Sequence, residues 1–265
     1  MELIWGRNPV FEALRGRRRV HRVYIAEGVR PSAEITRLLD LAARCTVPLE
    51  RLPRTELDRL LHRSDHQGVA AAVDPYPYVD FDELLPAPGE PDPLYLALDE
   101  LKDPQNFGTL LRTAEAVQVR GVVLPFHRSV EVTGAVCKAS AGAVEHLLIS
   151  RVTNLVRALE QLKEAGVWIF GLEAGGPDAF DRIDWDLPVC IVVGSEGEGL
   201  RRVVRQRCDR LVSLPMAGKI NSLNAAVAGS IVLYHAWRWR TRVGQKSSSE
   251  VASRGPGLAG FQTLS

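Results

Sequence analysis

Three stretches of the chain concentrate residue types that can do chemistry. In the first, Asp103-Pro-Gln-Asn-Phe-Gly-Thr-Leu-Leu-Arg112, Asn106 and Arg112 share one strand-to-helix transition. In the second, the apolar run Val189–Val193 ends in Gly194-Ser-Glu-Gly-Glu-Gly199, with the carboxylate of Glu196 set among small residues. In the third, Leu214-Pro-Met-Ala-Gly-Lys-Ile-Asn-Ser-Leu-Asn224 is a Pro/Gly-bearing turn that delivers Ser222, Leu223 and Asn224 to the start of an apolar helix. Glycines after a buried strand let backbone N–H groups approach a ligand closely. Open α/β sheets bind their ligands at such strand ends.

Each stretch also has a plainer reading. The glycine run alone fits an ordinary tight turn, Arg112 a surface salt bridge, and Ser222 an N-cap of the last helix. Asn224, one turn into that helix, is a poor helix former and is better explained by a site. The glycines run G-x-x-G-x-G, unlike the dinucleotide fingerprint G-x-G-x-x-G, and Gly218-Lys219 is followed by Ile220 where a phosphate loop needs Ser or Thr. A nucleotide-binding protein of either kind is disfavoured.

The elements that must position these residues follow from periodicity. From Leu94 onward, short apolar runs (94–98, 121–124, 147–149, 167–172, 189–193, 211–214) suit buried parallel strands. Amphipathic helices are expected near 107–118, 130–138, 152–165 and 200–207, with a final helix from about Ser222 to Trp239. Ahead of them, residues 1–73 read as a small α/β unit. Asn8-Pro9 opens a helix through Leu14, Val20–Ala26 is a strand, and Ser32 caps a helix carrying Ile35, Leu38, Leu39 and Ala42. Residues 74–93 hold six prolines and read as a semi-extended linker. Residues 242–265 carry no core pattern and are expected to form a disordered tail.

No stretch has the run of about 20 apolar residues that a membrane helix needs. The N-terminus lacks a signal-peptide layout, so no membrane association and a cytoplasmic location are expected. Cys45, Cys137, Cys190 and Cys208 are far apart, which suits neither a zinc site nor a disulfide scaffold, and no metal is expected. Cys190 reads as core packing. The net charge is +1, but charge is unevenly spread: residues 1–22 hold six arginines against Glu2 and Glu12, and residues 201–210 hold five against Asp209. Such local clusters can meet phosphate even on a nearly neutral chain.

The order and spacing of the three stretches resemble the SpoU family of RNA ribose 2'-O-methyltransferases. The resemblance extends from about residue 6 to 240. Gly6-Arg-Asn-Pro-Val-Phe-Glu-Ala-Leu14 and His66-Gln-Gly-Val69 are similar to the ribosomal-protein-L30-like module of the 23S rRNA guanosine subfamily. The resemblance implies an α/β fold, with a trefoil-knotted parallel-sheet methyltransferase domain (94–241) behind an L30-like RNA-binding domain (1–73). It implies S-adenosylmethionine as cofactor, held by Gly194, Leu214, Met216, Gly218 and Leu223. Asn106, Arg112, Glu196, Ser222 and Asn224 would form the catalytic set. Arg112 would handle the ribose 2'-hydroxyl, either as base or as a cation stabilising developing alkoxide charge. The implied substrate is RNA, 23S rRNA first, and the implied assembly is a homodimer through the methyltransferase domain. A tRNA ribose methyltransferase and a non-catalytic RNA-binding assembly factor are the competing functions. Ser195 and the bulky Lys219-Ile-Asn221 depart from the family's usual residues.

Overall fold

The apolar runs fold into two sheets. The computed structural model describes residues 1–87, 89 and 92–253, with 242–253 as backbone only. In the N-terminal part, β1 (Glu2–Trp5), α1 (Arg7–Arg15), β2 (Val20–Ala26), α2 (Ala33–Arg44), β3 (Leu49–Leu52), α3 (Arg54–Leu61) and β4 (Val69–Val73) build a four-stranded mixed sheet of order β1-β4-β2-β3. The Ser32 hydroxyl caps α2 by accepting from Ile35 N at 3.3 Å. Helix α1 starts earlier than Asn8-Pro9 suggests. Gly6, at φ 99°, is its N-cap, and Asn8 lies inside the first turn.

The second part runs β5 (Leu94–Asp99), α4 (Pro104–Ala116), β6 (Gly121–Pro125), α5 (Gly134–Ala139), β7 (Ile149–Val152), α6 (Leu155–Glu164), β8 (Trp168–Leu172), β9 (Asp178–Ala179), β10 (Val189–Gly194), α7 (Arg202–Arg205), β11 (Arg210–Ser213) and α8 (Ala225–Ser253). Its seven strands are all parallel, in the order β7-β6-β5-β10-β8-β11-β9. Strand alternation sorts the core onto two faces. Leu96, Leu98, Ile191 and Val193 meet α4 and α8, while Tyr95, Ala97, Cys190 and Val192 meet α6. Cys190 is fully buried there, and all four cysteines are free thiols. Helix α8 continues past Trp239 to Ser253. Residues 254–265, on which much of the expected tail falls, lie outside the described residues. Among the described residues no helix is long and apolar enough to cross a membrane.

The stretch 74–87 is extended but docked, not free. Tyr76 donates its hydroxyl to Leu147 O at 2.6 Å, and Val79 N bonds Ile149 O at 3.0 Å. A 3-10 turn at Phe81–Leu84 buries Leu84. The small sheet is not independent either. One apolar cluster runs from Ile4, Val10 and Val73 through Val136 and Val144 to Leu96 and Ile191. Across the same boundary the Arg18 guanidinium, 1% exposed, donates to Glu145 at 2.9 and 2.5 Å and to the Cys137 sulfur at 2.9 Å. Burial pushes the Cys137 thiol up to about 12, so it stays a neutral acceptor. A 70-residue unit buries too little surface to be robust alone; sharing a core with the larger domain relieves that.

Candidate active site

Two of the three chemistry-bearing stretches, those after β10 and β11, meet at the C-terminal ends of β8, β10 and β11, and the first reaches them only through Asn106. A cavity of about 440 Å³ opens there, lined by Leu172 and Glu173 after β8, Val193–Gly197 and Gly199 after β10, and Leu214, Met216 and Asn221–Ala225 after β11. This volume lies within the range of about 300–1,000 Å³ expected of ligand pockets.

The glycine loop is built by its own backbone. Ser195 and Gly199 exchange N–H···O bonds at 3.1 and 3.0 Å, closing a tight turn whose tip is Glu196-Gly197-Glu198. Gly197 and Gly199 have φ of +85° and +67°, which L side chains rarely adopt. At Gly194 an added Cβ would stand 2.2 Å from the Gly199 carbonyl carbon. A side chain at Gly194 therefore meets the loop's own backbone first. Beyond the turn, Arg201 anchors it: its main-chain N and Nε donate to the fully buried Asp99 carboxylate at 2.8 and 2.6 Å. An acid ending the apolar run Leu94–Leu98 was the available signal for that anchor, and sequence reasoning missed it. Glu173 and Ala174, which also line the cavity, gave no signal at all.

Asp103 caps α4 by accepting from Gln105 N and Asn106 N at 3.3 and 3.0 Å, with Pro104 in the first turn. This fixes Asn106 at the helix start. Asn224 is the N-cap of α8, not a residue one turn inside it. Its Oδ1 accepts from Ala226 N at 2.9 Å and Val227 N at 3.2 Å. Ser222 therefore has no capping duty and stands exposed on the cavity wall. The same Asn224 donates from Nδ2 to Asn106 Oδ1 at 3.0 Å, tying the first stretch to the third.

The remaining expected residues are placed as follows. Glu196 is exposed at the cavity rim. Leu214, Met216 and Leu223 line the cavity, the last two 40% exposed, so apolar surface there faces open space. Gly218 is on the same loop but does not line the cavity, and a Cβ there would meet nothing within 4 Å. Arg112 does not line it either. It is exposed on α4, with no hydrogen bond or ion pair among the described residues. Its neighbour Thr113 bonds Ser230 of α8 at 2.9 Å. His66 is fully buried between Asp58 at 2.8 Å and Gly68 N at 2.9 Å, a structural position in the small domain.

Comparison with known proteins bears on the whole chain. Residues 93–234 match the model described as SpoU rRNA Methylase family, and residues 3–79 match that for RNA 2'-O ribose methyltransferase substrate binding. YacO of Bacillus subtilis (strain 168), assigned to the TrmH family of tRNA/rRNA methyltransferases, is 41% identical over 246 residues, 92% of this chain and 98% of that protein. An uncharacterized tRNA/rRNA methyltransferase of Mycobacterium ulcerans (strain Agy99) is 44% identical over 240 residues, 90% of this chain and 77% of that one. The crystal structure of the SpoU methyltransferase AviRb from Streptomyces viridochromogenes in complex with AdoMet is similar in fold, with TM-score 0.75 and 24% identity over 91% of this chain and 90% of that one. With a family model covering more than half its length and relatives of this identity along most of it, the chain belongs to the SpoU rRNA methylase family.

Proposed function

We propose that the protein transfers a methyl group from S-adenosylmethionine to a ribose 2'-oxygen of RNA, with a guanosine of 23S rRNA as the first candidate target. The observation that carries this reading is the Asn224-to-Asn106 hydrogen bond, which joins the first stretch to the third beside a cavity that the second and third line. The cavity suits the cofactor. Met216, Leu214 and Leu223 offer apolar surface to a flat base, while the 194–199 and 214–223 loops offer backbone donors and acceptors to its edge. When bound, S-adenosylmethionine supplies an electrophilic methyl group on a sulfonium sulfur.

The chain's own residues then have to orient and activate a hydroxyl. Methyl transfer is an in-line displacement, so positioning contributes most. Asn106, held by the α4 cap and by Asn224, presents its amide beside the cavity. The exposed Glu196 carboxylate accepts a hydrogen bond from the substrate. Arg112 holds the adjoining phosphate and stabilises the alkoxide charge that develops as the proton leaves.

Arg112 is outside the cavity of its own chain, and the same reading accounts for this through a homodimer. Val227, Ile231 and Tyr234 form an exposed apolar stripe along α8, at 43%, 38% and 54% exposure. Pairing through that stripe buries it and carries α4, with Arg112, into the interface. A C₂ pairing is the commonest closed arrangement. The family's trefoil knot belongs to this proposal as well. Mapping 2'-O-methyl sites in rRNA and tRNA from a strain lacking the gene tests the reading. Loss of one rRNA ribose methyl supports it, loss of a tRNA methyl moves the target to tRNA, and no loss from any RNA overturns it.

A further inference from the structure

A second groove, about 530 Å³ in volume, lies at the C-terminal ends of β5, β6 and β7, lined in part by His127, Arg128, Asn154, Arg201, Gln206 and Arg207. One loop links it to the methyl-donor cavity. The loop that lines the cavity with Gly194–Gly197 and Gly199 ends at Arg201, which lines the groove. We propose that this groove is an RNA subsite that holds the phosphodiester and base next to the nucleotide being methylated. The inference rests on the RNA methyltransferase reading.

Three features point to a flexible nucleic-acid strand. The lining carries three guanidiniums, of Arg128, Arg201 and Arg207, against the single carboxylate of Glu100. Two of them are engaged: Arg201 by buried Asp99 at 2.6 Å and Glu100 at 3.3 Å, and Arg207 by Glu160 at 3.0 Å. Arg128 is different. It is 76% exposed, and its ion-pair contact is 3.7 Å to the same Glu100 that Arg201 already occupies. Its donors are therefore available for a phosphate, where a planar fork matches two oxygens.

Aromatic surface lies beside the charge. Phe126, in the chain between the lining residues Pro125 and His127, is 49% exposed, with the Arg151 guanidinium 4.1 Å from its ring centroid and His127 edge-on at 5.1 Å. An exposed ring steadied by a cation, near an exposed guanidinium held by only one long ion-pair contact, is the combination that single strands use: stacking for the base, charge for the backbone. The start of α6 completes the lining. Asn154 caps it on Arg157 N at 3.2 Å, and Leu155 and Val156 border the groove. The first N–H groups of a helix have no intrahelical acceptor and favour anions.

The test uses full-length protein and an RNA fragment that the wild type methylates. Arg128→Ala and Phe126→Ala both change exposed side chains, and calorimetry with S-adenosylmethionine checks that the neighbouring cavity is intact. With Arg128→Ala, RNA affinity should fall and the slope of log affinity against log salt should shrink by about 0.7. With Phe126→Ala, affinity should fall about tenfold with the salt slope unchanged. S-adenosylmethionine affinity should stay at the wild-type value in both. Wild-type RNA affinity and salt slope in both variants would overturn the subsite while leaving the enzyme reading untouched. Failure of the wild type to methylate any RNA would overturn the parent reading instead.

Discussion

At Gly194 the added Cβ of an alanine would lie 2.2 Å from the backbone of Gly199, and no side-chain rotation relieves a backbone clash. Gly194→Ala should therefore deform the 195–199 turn and abolish S-adenosylmethionine binding, at a stability cost of about 1–3 kcal/mol. Calorimetry and thermal unfolding check both parts, and unchanged cofactor affinity would show that the turn does not shape the cavity. The two linked asparagines separate chemistry from stability. Asn224→Ala removes an N-cap and should cost about 1 kcal/mol as well as activity. Asn106→Ala removes the amide that Asn224 holds but leaves the α8 cap in place, so it should lose activity with a smaller drop in melting temperature. Arg112→Ala should lower single-turnover methyl transfer by about 100-fold or more, as removal of a charge-stabilising group does. S-adenosylmethionine affinity should stay within a few-fold, because Arg112 does not line the cavity. These assignments were legible to different depths. The residue types of all three stretches stood out in the sequence, but the capping role of Asn224 did not, because a helix start three residues later than expected changes what that residue does.

Among the elements, helix α8 makes the clearest demand. Val232, Leu233 and Ala236 are fully buried against the sheet, while Val227, Ile231 and Tyr234 face outward. A helix apolar on nearly every side is buried on more than one. Ile231→Asp should convert the proposed dimer to monomer, readable by light scattering at micromolar protein. If Arg112 then serves the partner's cavity, the monomer should keep cofactor affinity and lose methyl transfer. A fully active monomer would contradict that arrangement. The buried strands β5, β6, β8 and β10 were visible as apolar runs, since parallel strands covered on both faces need no polar alternation. Strands β1 and β9 were not visible. The first is four residues long and pairs with β4 nearly seventy residues away, and the second has only two residues. Their existence is a tertiary fact that local pattern does not carry.

For the whole molecule, the small domain's attachment is the feature that composition hid. Six prolines argued for a spacer, yet Tyr76 and Val79 bond the larger domain and the buried Arg18–Glu145 pair locks the two parts. Glu145→Ala removes the closest partner and leaves the buried Arg18 only the Glu2 carboxylate at 3.6 Å, so it should cost up to about 3–5 kcal/mol. Urea unfolding followed separately by probes in each domain checks this; both transitions should shift together, and a shift in only one would mean that the domains are energetically separate. The strand order β7-β6-β5-β10-β8-β11-β9 was likewise beyond the sequence, because it is set by which faces pack, not by any local signal. The central claim remains the reaction itself. The most direct measurement is to incubate the purified protein with methyl-labelled S-adenosylmethionine and 23S rRNA, digest the RNA to nucleosides, and identify the labelled product. Label should appear in a 2'-O-methylnucleoside with the wild type and be almost absent with Arg112→Ala. Label on a base, or an undiminished rate with Arg112→Ala, would contradict it.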